Sequence, residues 1–181
     1  EKLGPYEILG HIGAGGMGEV CKARDTRLDR TVALKVLPEH IARREDLRLR
    51  FEREARAVGS LNHPHISVLH DVGNDNGRGY LVMEYLEGET LAARLAKGPL
   101  SLEQTIRFAS QIADALERAH RAGVTHRDVK PGNIMITADG IKLLDFGLAK
   151  SAAAAASVAA GQQDTMTLAI TSEGTLIGTP Q

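Results

Sequence analysis

Apolar and polar positions follow two rhythms along the chain. Through the first third they alternate or cluster in short β-branched runs, the pattern of strands. Tyr6 to Ile12 forms the first such run and leads into Gly13-Ala14-Gly15-Gly16-Met17-Gly18. A second extended stretch covers Glu19 to Arg24, and Asp25 to Arg30 makes a polar turn. Thr31 to Leu37 then reads as a buried strand stopped by Pro38. From about Ala42 to Leu61 the period lengthens to that of a helix, with Leu47, Phe51, Ala55 and Val58 on one face. Glu54 falls in the middle of that stripe, where a carboxylate needs a positive partner.

Two more strands are expected at Ile66–Val72 and Tyr80–Tyr85, joined by Asn74-Asp75-Asn76-Gly77. After a break at Gly88 the reading turns helical. A short helix spans Thr90 to Lys97. A long one opens on the capping box Ser101-Leu102-Glu103-Gln104 and runs to Arg121, with an apolar stripe of Ile106, Ala109, Ala113 and Leu116. A polar loop from His126 to Asn133 precedes a small hairpin with arms Ile134–Ile136 and Ile141–Leu144. From Ser151 onward Ala, Gly, Ser and Thr dominate without any period, the composition of a loop. Strands before Gly88 and helices after it make an α+β chain in two lobes: residues 1–86, which include the link out of the first lobe, then 87–181.

Composition narrows the function. The 181 residues carry 22 Lys and Arg against 23 Asp and Glu, so the net charge is −1. That balance argues against nucleic acid as a partner, because no basic excess exists to displace counterions. One cysteine, Cys21, excludes an intrachain disulfide framework and fits a reducing, cytoplasmic setting. No apolar run approaches the ~20 residues that span a bilayer. A membrane anchor of a longer parent would lie outside this sequence.

Three constellations could do chemistry. Gly13-x-Gly15-x-x-Gly18 stands between two strands, so no helix N-terminus follows to receive a dinucleotide. Such a turn is either a plain hairpin or a flap whose bare backbone closes over phosphates. Lys35 shares a strand face with Ala33 and Leu37. It is either a surface lysine or an inward one that needs an acid, and Glu54 is the acid left over. The octapeptide His126-Arg127-Asp128-Val129-Lys130-Pro131-Gly132-Asn133 and the tripeptide Asp145-Phe146-Gly147 flank the hairpin. Asn133 and Asp145 supply hard oxygens suited to Mg²⁺, and Asp128 remains to orient a hydroxyl. His63-Pro64-His65 has no nearby Cys or acid and reads as a loop.

These motifs, in this order, resemble the eukaryotic-type protein kinases, most of all the bacterial serine/threonine kinases. Val32-Ala33-Leu34-Lys35 replaces the commoner Val-Ala-Ile-Lys. The resemblance implies a protein kinase-like fold: an antiparallel sheet with one helix, then a partial helical lobe. It implies ATP and Mg²⁺ as cofactors and protein Ser/Thr hydroxyls as acceptors. By position, Ile12, Gly13, Gly15, Gly16 and Gly18 would cover the phosphates. Val20, Ala33 and Met135 would enclose the adenine, with Met83, Glu84 and Leu86 along the hinge. Lys35 would hold phosphates and pair with Glu54. Asp128 and Lys130 would serve the transfer, and Asn133 and Asp145 the metal.

Arg127 is of the type that grips an activation-loop phosphate, for which Thr171 or Ser172 is favoured by position. The alternative to an enzyme is a nucleotide-binding or scaffold module without catalysis. A small-molecule kinase is disfavoured by Lys130 and the Thr-rich loop. The chain stops soon after Gly178-Thr179-Pro180. The reading is therefore a fragment of a longer kinase, weakly active or inactive alone, with part of the long helix uncovered.

Overall fold

A computed structural model of the chain describes residues 1–15, 18–37 and 44–146. Thr171, Ser172 and the rest of the Thr-rich loop lie outside the described residues.

The strand rhythm builds one antiparallel six-stranded sheet. Its strands are β1 (Lys2–Leu3), β2 (Tyr6–Gly15), β3 (Gly18–Asp25), β4 (Arg30–Val36), β5 (Leu69–Asp75) and β6 (Arg78–Glu84), in the order β1-β2-β3-β4-β6-β5. β4 lies inside the sheet and is buried on both faces. Val32, Leu34 and Val36 pack on one side with Tyr6, Cys21, Tyr80 and Val82. Leu37 and Leu81 meet Phe51 and Ala55 of helix α1 (Glu45–Gly59) on the other. The period-two reading thus placed Lys35 on the helix-facing side, where it is only 6% exposed. Leu47, part of the expected stripe, has a side chain outside the described set.

The fifth strand starts three residues later than expected, at Leu69 rather than Ile66. Ile66 is taken by a parallel bridge to Leu143, so the chain enters the sheet only beyond it. The hairpin that follows turns at Asn76 (φ 51°) and Gly77 (φ 81°), with the Gly77 N–H donating to Asn74 Oδ1 at 3.0 Å.

The second half is helical with a small sheet. β7 (Glu89–Thr90), β8 (Ile134–Thr137) and β9 (Gly140–Leu143) pair in that order beside α2 (Leu91–Ala96) and α3 (Leu102–Arg121). The capping box read from sequence is present, with Ser101 and Gln104 bonding each other's backbone. The buried stripe of α3 differs from the expected one. Phe108, Ala115 and Ala119 face the core with Ile112 and Leu116 beside them, while Ile106 is 61% exposed and Ala109 and Ala113 face outward. The helix carries apolar residues on two faces, and the bulk of Phe108 goes against the β8–β9 hairpin. Gln111 fixes that choice by accepting from the Ile141 N–H at 3.1 Å. Among the described residues no helix is long and apolar enough to cross a membrane.

At Gly88 (φ 146°) the chain passes from the sheet to the helical half. A side chain there would run into the carbonyl of Ile136, so glycine is required both by space and by conformation.

Candidate active site

Between the sheet and the β7–β8–β9 layer lies a cleft of about 870 Å³. Ile12 and Gly13 of β2 and Gly18 and Val20 of β3 form its cover, and Ala33 and Lys35 of β4 its inner wall. Met83, Glu84 and Leu86 run along its back edge, and Met135 of β8 lies on the opposite side. β2 and β3 pair down to Gly15 against Gly18, which takes φ 110°, a region closed to most side chains. Gly16 lies outside the described residues. Strand alternation sends Val20 to the cleft and Cys21 to the opposite face. There Cys21 is 1% exposed, its Sγ is 3.4 Å from His11 Nδ1, and burial pushes its thiol pKa up.

Lys35 reaches the cleft from the sheet, and Asp145 comes to it from beyond β9. Their Nζ and Oδ1 atoms are 2.8 Å apart, with side chains 8% and 29% exposed. The expected Lys35–Glu54 pair is not the one formed. Glu54 of α1 instead meets Arg127, Nη1 to Oε1 at 3.6 Å, in a smaller neighbouring cavity lined also by Val58, Thr125 and Phe146. One ammonium faced two carboxylates. Asp145, whose backbone adopts φ 50°, takes the closer place. Arg127, at φ 62°, stands on Glu54 in turn. Two non-glycine residues in the left-handed region, one in each of two adjoining cavities, mark a backbone held against its own preference by surrounding contacts.

The loop before β8 places Asp128 with its side chain 7% exposed. Lys130 Nζ is 3.0 Å from Asp128 Oδ2, and Asn133 Nδ2 donates to both the Asp128 carbonyl (2.9 Å) and Oδ2 (3.0 Å). Pro131–Asn133 forms a 3-10 turn that brings the amide back to Asp128, with Pro at its start where a missing N–H costs nothing. Beneath the loop, His126 is 1% exposed and packs on Phe146 with ring centroids 4.6 Å apart. Burial holds its pKa below the ordinary imidazole value. Its Nδ1 accepts from the Asp128 N–H at 3.3 Å, so a neutral ring supports the backbone of the loop.

Lys35, Asp128, Lys130, Asn133 and Asp145 therefore share one cleft, and Glu54 stands outside it. Sequence reasoning missed the Arg127–Glu54 contact because the two are far apart in the chain. It missed as well the bond of Lys142 to Glu84, at 2.7 and 2.9 Å. A signal for the second existed: Lys142 interrupts an otherwise apolar β9. His63 pairs with Asp114 at 3.1 Å, and His65 Nδ1 lies 3.0 Å from the Ile141 carbonyl.

Among the described residues no cluster of three or more His, Cys, Asp or Glu could hold a metal. The residues present do fit a phosphate-bound Mg²⁺, which needs only one or two protein oxygens. Asp145 offers a carboxylate. Asn133 spends its amide nitrogen on Asp128, leaving its amide oxygen as the available donor.

Comparison with known proteins agrees with this geometry. The family model for the protein kinase domain matches residues 6–173. The serine/threonine-protein kinase PknD of Mycobacterium tuberculosis is 46% identical over 153 residues, covering 83% of this chain and 23% of that protein. The probable serine/threonine-protein kinase SCO3848 of Streptomyces coelicolor is 46% identical over 154 residues, covering 82% and 23%. The crystal structure of the M. tuberculosis PknI kinase domain superposes with a TM-score of 0.72 at 33% identity, covering 80% of this chain and 59% of that one. The chain thus spans about a quarter of the curated relatives it matches. With its folded halves meeting at a glycine-covered cleft, and the family model matching nearly end to end, the chain belongs to the protein kinase domain family.

Proposed function

We propose that the protein of which this chain is part transfers the γ-phosphoryl group of ATP to Ser or Thr hydroxyls of proteins. The observation that carries the reading is the meeting of Lys35 and Asp145 at 2.8 Å in the cleft that also holds Asp128, Lys130 and Asn133. A cation from the sheet meets an acid from beyond β9 beside the Asp128 loop, in a space of nucleotide size under a cover of glycine backbone.

In this reading the adenine lies between Val20 and Ala33 above and Met135 below, with backbone groups of Glu84 and Leu86 along its edge and Met83 at the back. The cover of Ile12, Gly13, Gly15, Gly16 and Gly18 closes over the phosphates, its glycines without side-chain interference, and Lys35 binds phosphate oxygens. Mg²⁺, held by Asn133 and Asp145, would neutralise phosphate charge. Asp128 orients the acceptor hydroxyl and takes its proton as the oxygen bonds to phosphorus and ADP leaves. Lys130, already on Asp128, offsets negative charge on the moving phosphoryl group. Transfer through a loose transition state asks mainly for positioning and charge neutralisation, and the cross-bonded loop supplies both. Glu54 acts at one remove, through whichever cation it holds.

The test uses the full-length protein with labelled ATP, Mg²⁺ and a generic protein substrate. Asp128→Asn should abolish label transfer while ATP still binds. If the unaltered protein binds ATP and transfers nothing, the scaffold reading replaces this one.

A further inference from the structure

Glu84 closes β6, at the point where the chain leaves the sheet for the back edge of the cleft. It is held at both backbone and side chain. Its N–H donates to the Val68 carbonyl at 2.9 Å, and its Oε2 accepts from the Val68 N–H at 3.2 Å. Lys142 Nζ then bonds both carboxylate oxygens, at 2.9 and 2.7 Å. The Lys142 and Glu84 side chains are 17% and 27% exposed, so the pair is partly withdrawn from water, where removing one partner leaves the other charge poorly compensated.

The partners come from parts that would shift if the two halves rotated. Lys142 sits on β9, in register with Met135 of β8, which lines the cleft. Val68 belongs to the segment after α1, and that segment is stitched to β9. Ser67 N–H donates to the Leu143 carbonyl at 3.0 Å, and Leu143 N–H to the His65 carbonyl at 2.9 Å. Glu84 therefore anchors the hinge to a backbone junction that spans both halves. One residue further on, the Tyr85 ring lies 4.4 Å from Lys22 Nζ of β3, a second tie between the hinge and the sheet.

We propose that Lys142 is a positioning residue for the nucleotide. Through the Glu84 carboxylate it fixes the backbone of residues 84–86 in the register that meets adenine, and it governs ATP affinity rather than the chemical step. This rests on the functional reading above. A hinge ordered before binding leaves less conformational freedom to be lost when the nucleotide arrives. Interactions that hold ground state and transition state alike change KM and spare kcat.

The experiment measures steady-state kinetics and direct binding of a non-hydrolysable ATP analogue in the full-length protein. Lys142→Met should raise the KM for ATP and the analogue Kd about tenfold, with kcat at saturating ATP within about twofold. Lys142→Arg, which keeps a cation able to grip both oxygens, should recover most of the loss. A KM for ATP that does not move, a kcat that falls without it, or a kcat that rises would each overturn the proposal. Should Lys142→Met fail to fold, Glu84→Gln, which keeps the shape and removes the charge, is read by the same criteria. Failure of the unaltered protein to bind the analogue would overturn the kinase reading and this one together. Equal binding by the unaltered protein and the variant would overturn this one alone.

Discussion

The cover and the floor of the cleft are built on opposite principles. The floor is cross-bonded: Asp128 is held by Lys130 and twice by Asn133, its N–H is received by His126, and His126 is packed on Phe146. The cover is a long hairpin whose end carries Ile12, 49% exposed, and glycines with no side chain to bond. Under the proposed function the difference follows from what each would do. A group that handles a proton must sit within a fraction of an ångström of its place, so its loop is fixed by charge-assisted bonds. A cover that closes over phosphates must approach closely and withdraw, so it is kept bare.

If that division is right, substitutions in the floor act on kcat and substitutions in the cover on KM. After Asp128→Asn itself, the largest effect is expected for Asn133→Ala, which removes two of the bonds on Asp128 and, under the proposed function, a metal donor. Its kcat should fall about a hundredfold by steady-state assay, with a smaller change in analogue binding. A loss confined to KM would break the contrast. Gly18→Val forces a branched side chain into φ 110°, and should raise the KM for ATP about tenfold while kcat changes little. Ile12→Ala trims apolar contact from the cover and should raise KM only about two- to fivefold.

The mildest test is of stability against pH, followed by urea midpoints. Burial holds the pKa of His126 below its ordinary value, and burial together with Arg30 does the same for His70. In the unfolded chain both take up protons below about pH 6.5, while in the folded protein they resist. Their contribution is therefore complete above about pH 6.5 and is lost as pH falls below it. Asp25 works in the same direction at lower pH. Burial would raise its pKa, but bonds from the Arg27 backbone and guanidinium outweigh that and hold it low, so its share of stability goes as the carboxylate is protonated. A midpoint that does not move between pH 7.5 and about pH 5.5 would show that His126 does not brace the floor as a neutral ring.

Much of the site was legible in the sequence, and the reasons are local. Lys35 could be placed because strand alternation is a property of a few consecutive residues, and the loop 126–133 because its polar residues crowd one short stretch. The glycine turn could be told from a dinucleotide fold because the next element was visibly a strand. Where the reading slipped, the choice lay between distant partners. Glu54 needed a cation, and both Lys35 and Arg127 could supply one. Helix α3 offered two apolar faces, and composition does not say which will meet Phe108's neighbours.

Strand and helix periods, the caps, the turn glycines and the identity of the chemical groups were determined by the sequence alone, since each depends on residues within a turn or two of one another. Which carboxylate Lys35 holds, which stripe of α3 is buried, and the grip of Lys142 on Glu84 were decided only by tertiary structure. Those choices are competitions across 30 to 110 residues of chain, won by whichever group the packed backbone brings within bonding distance.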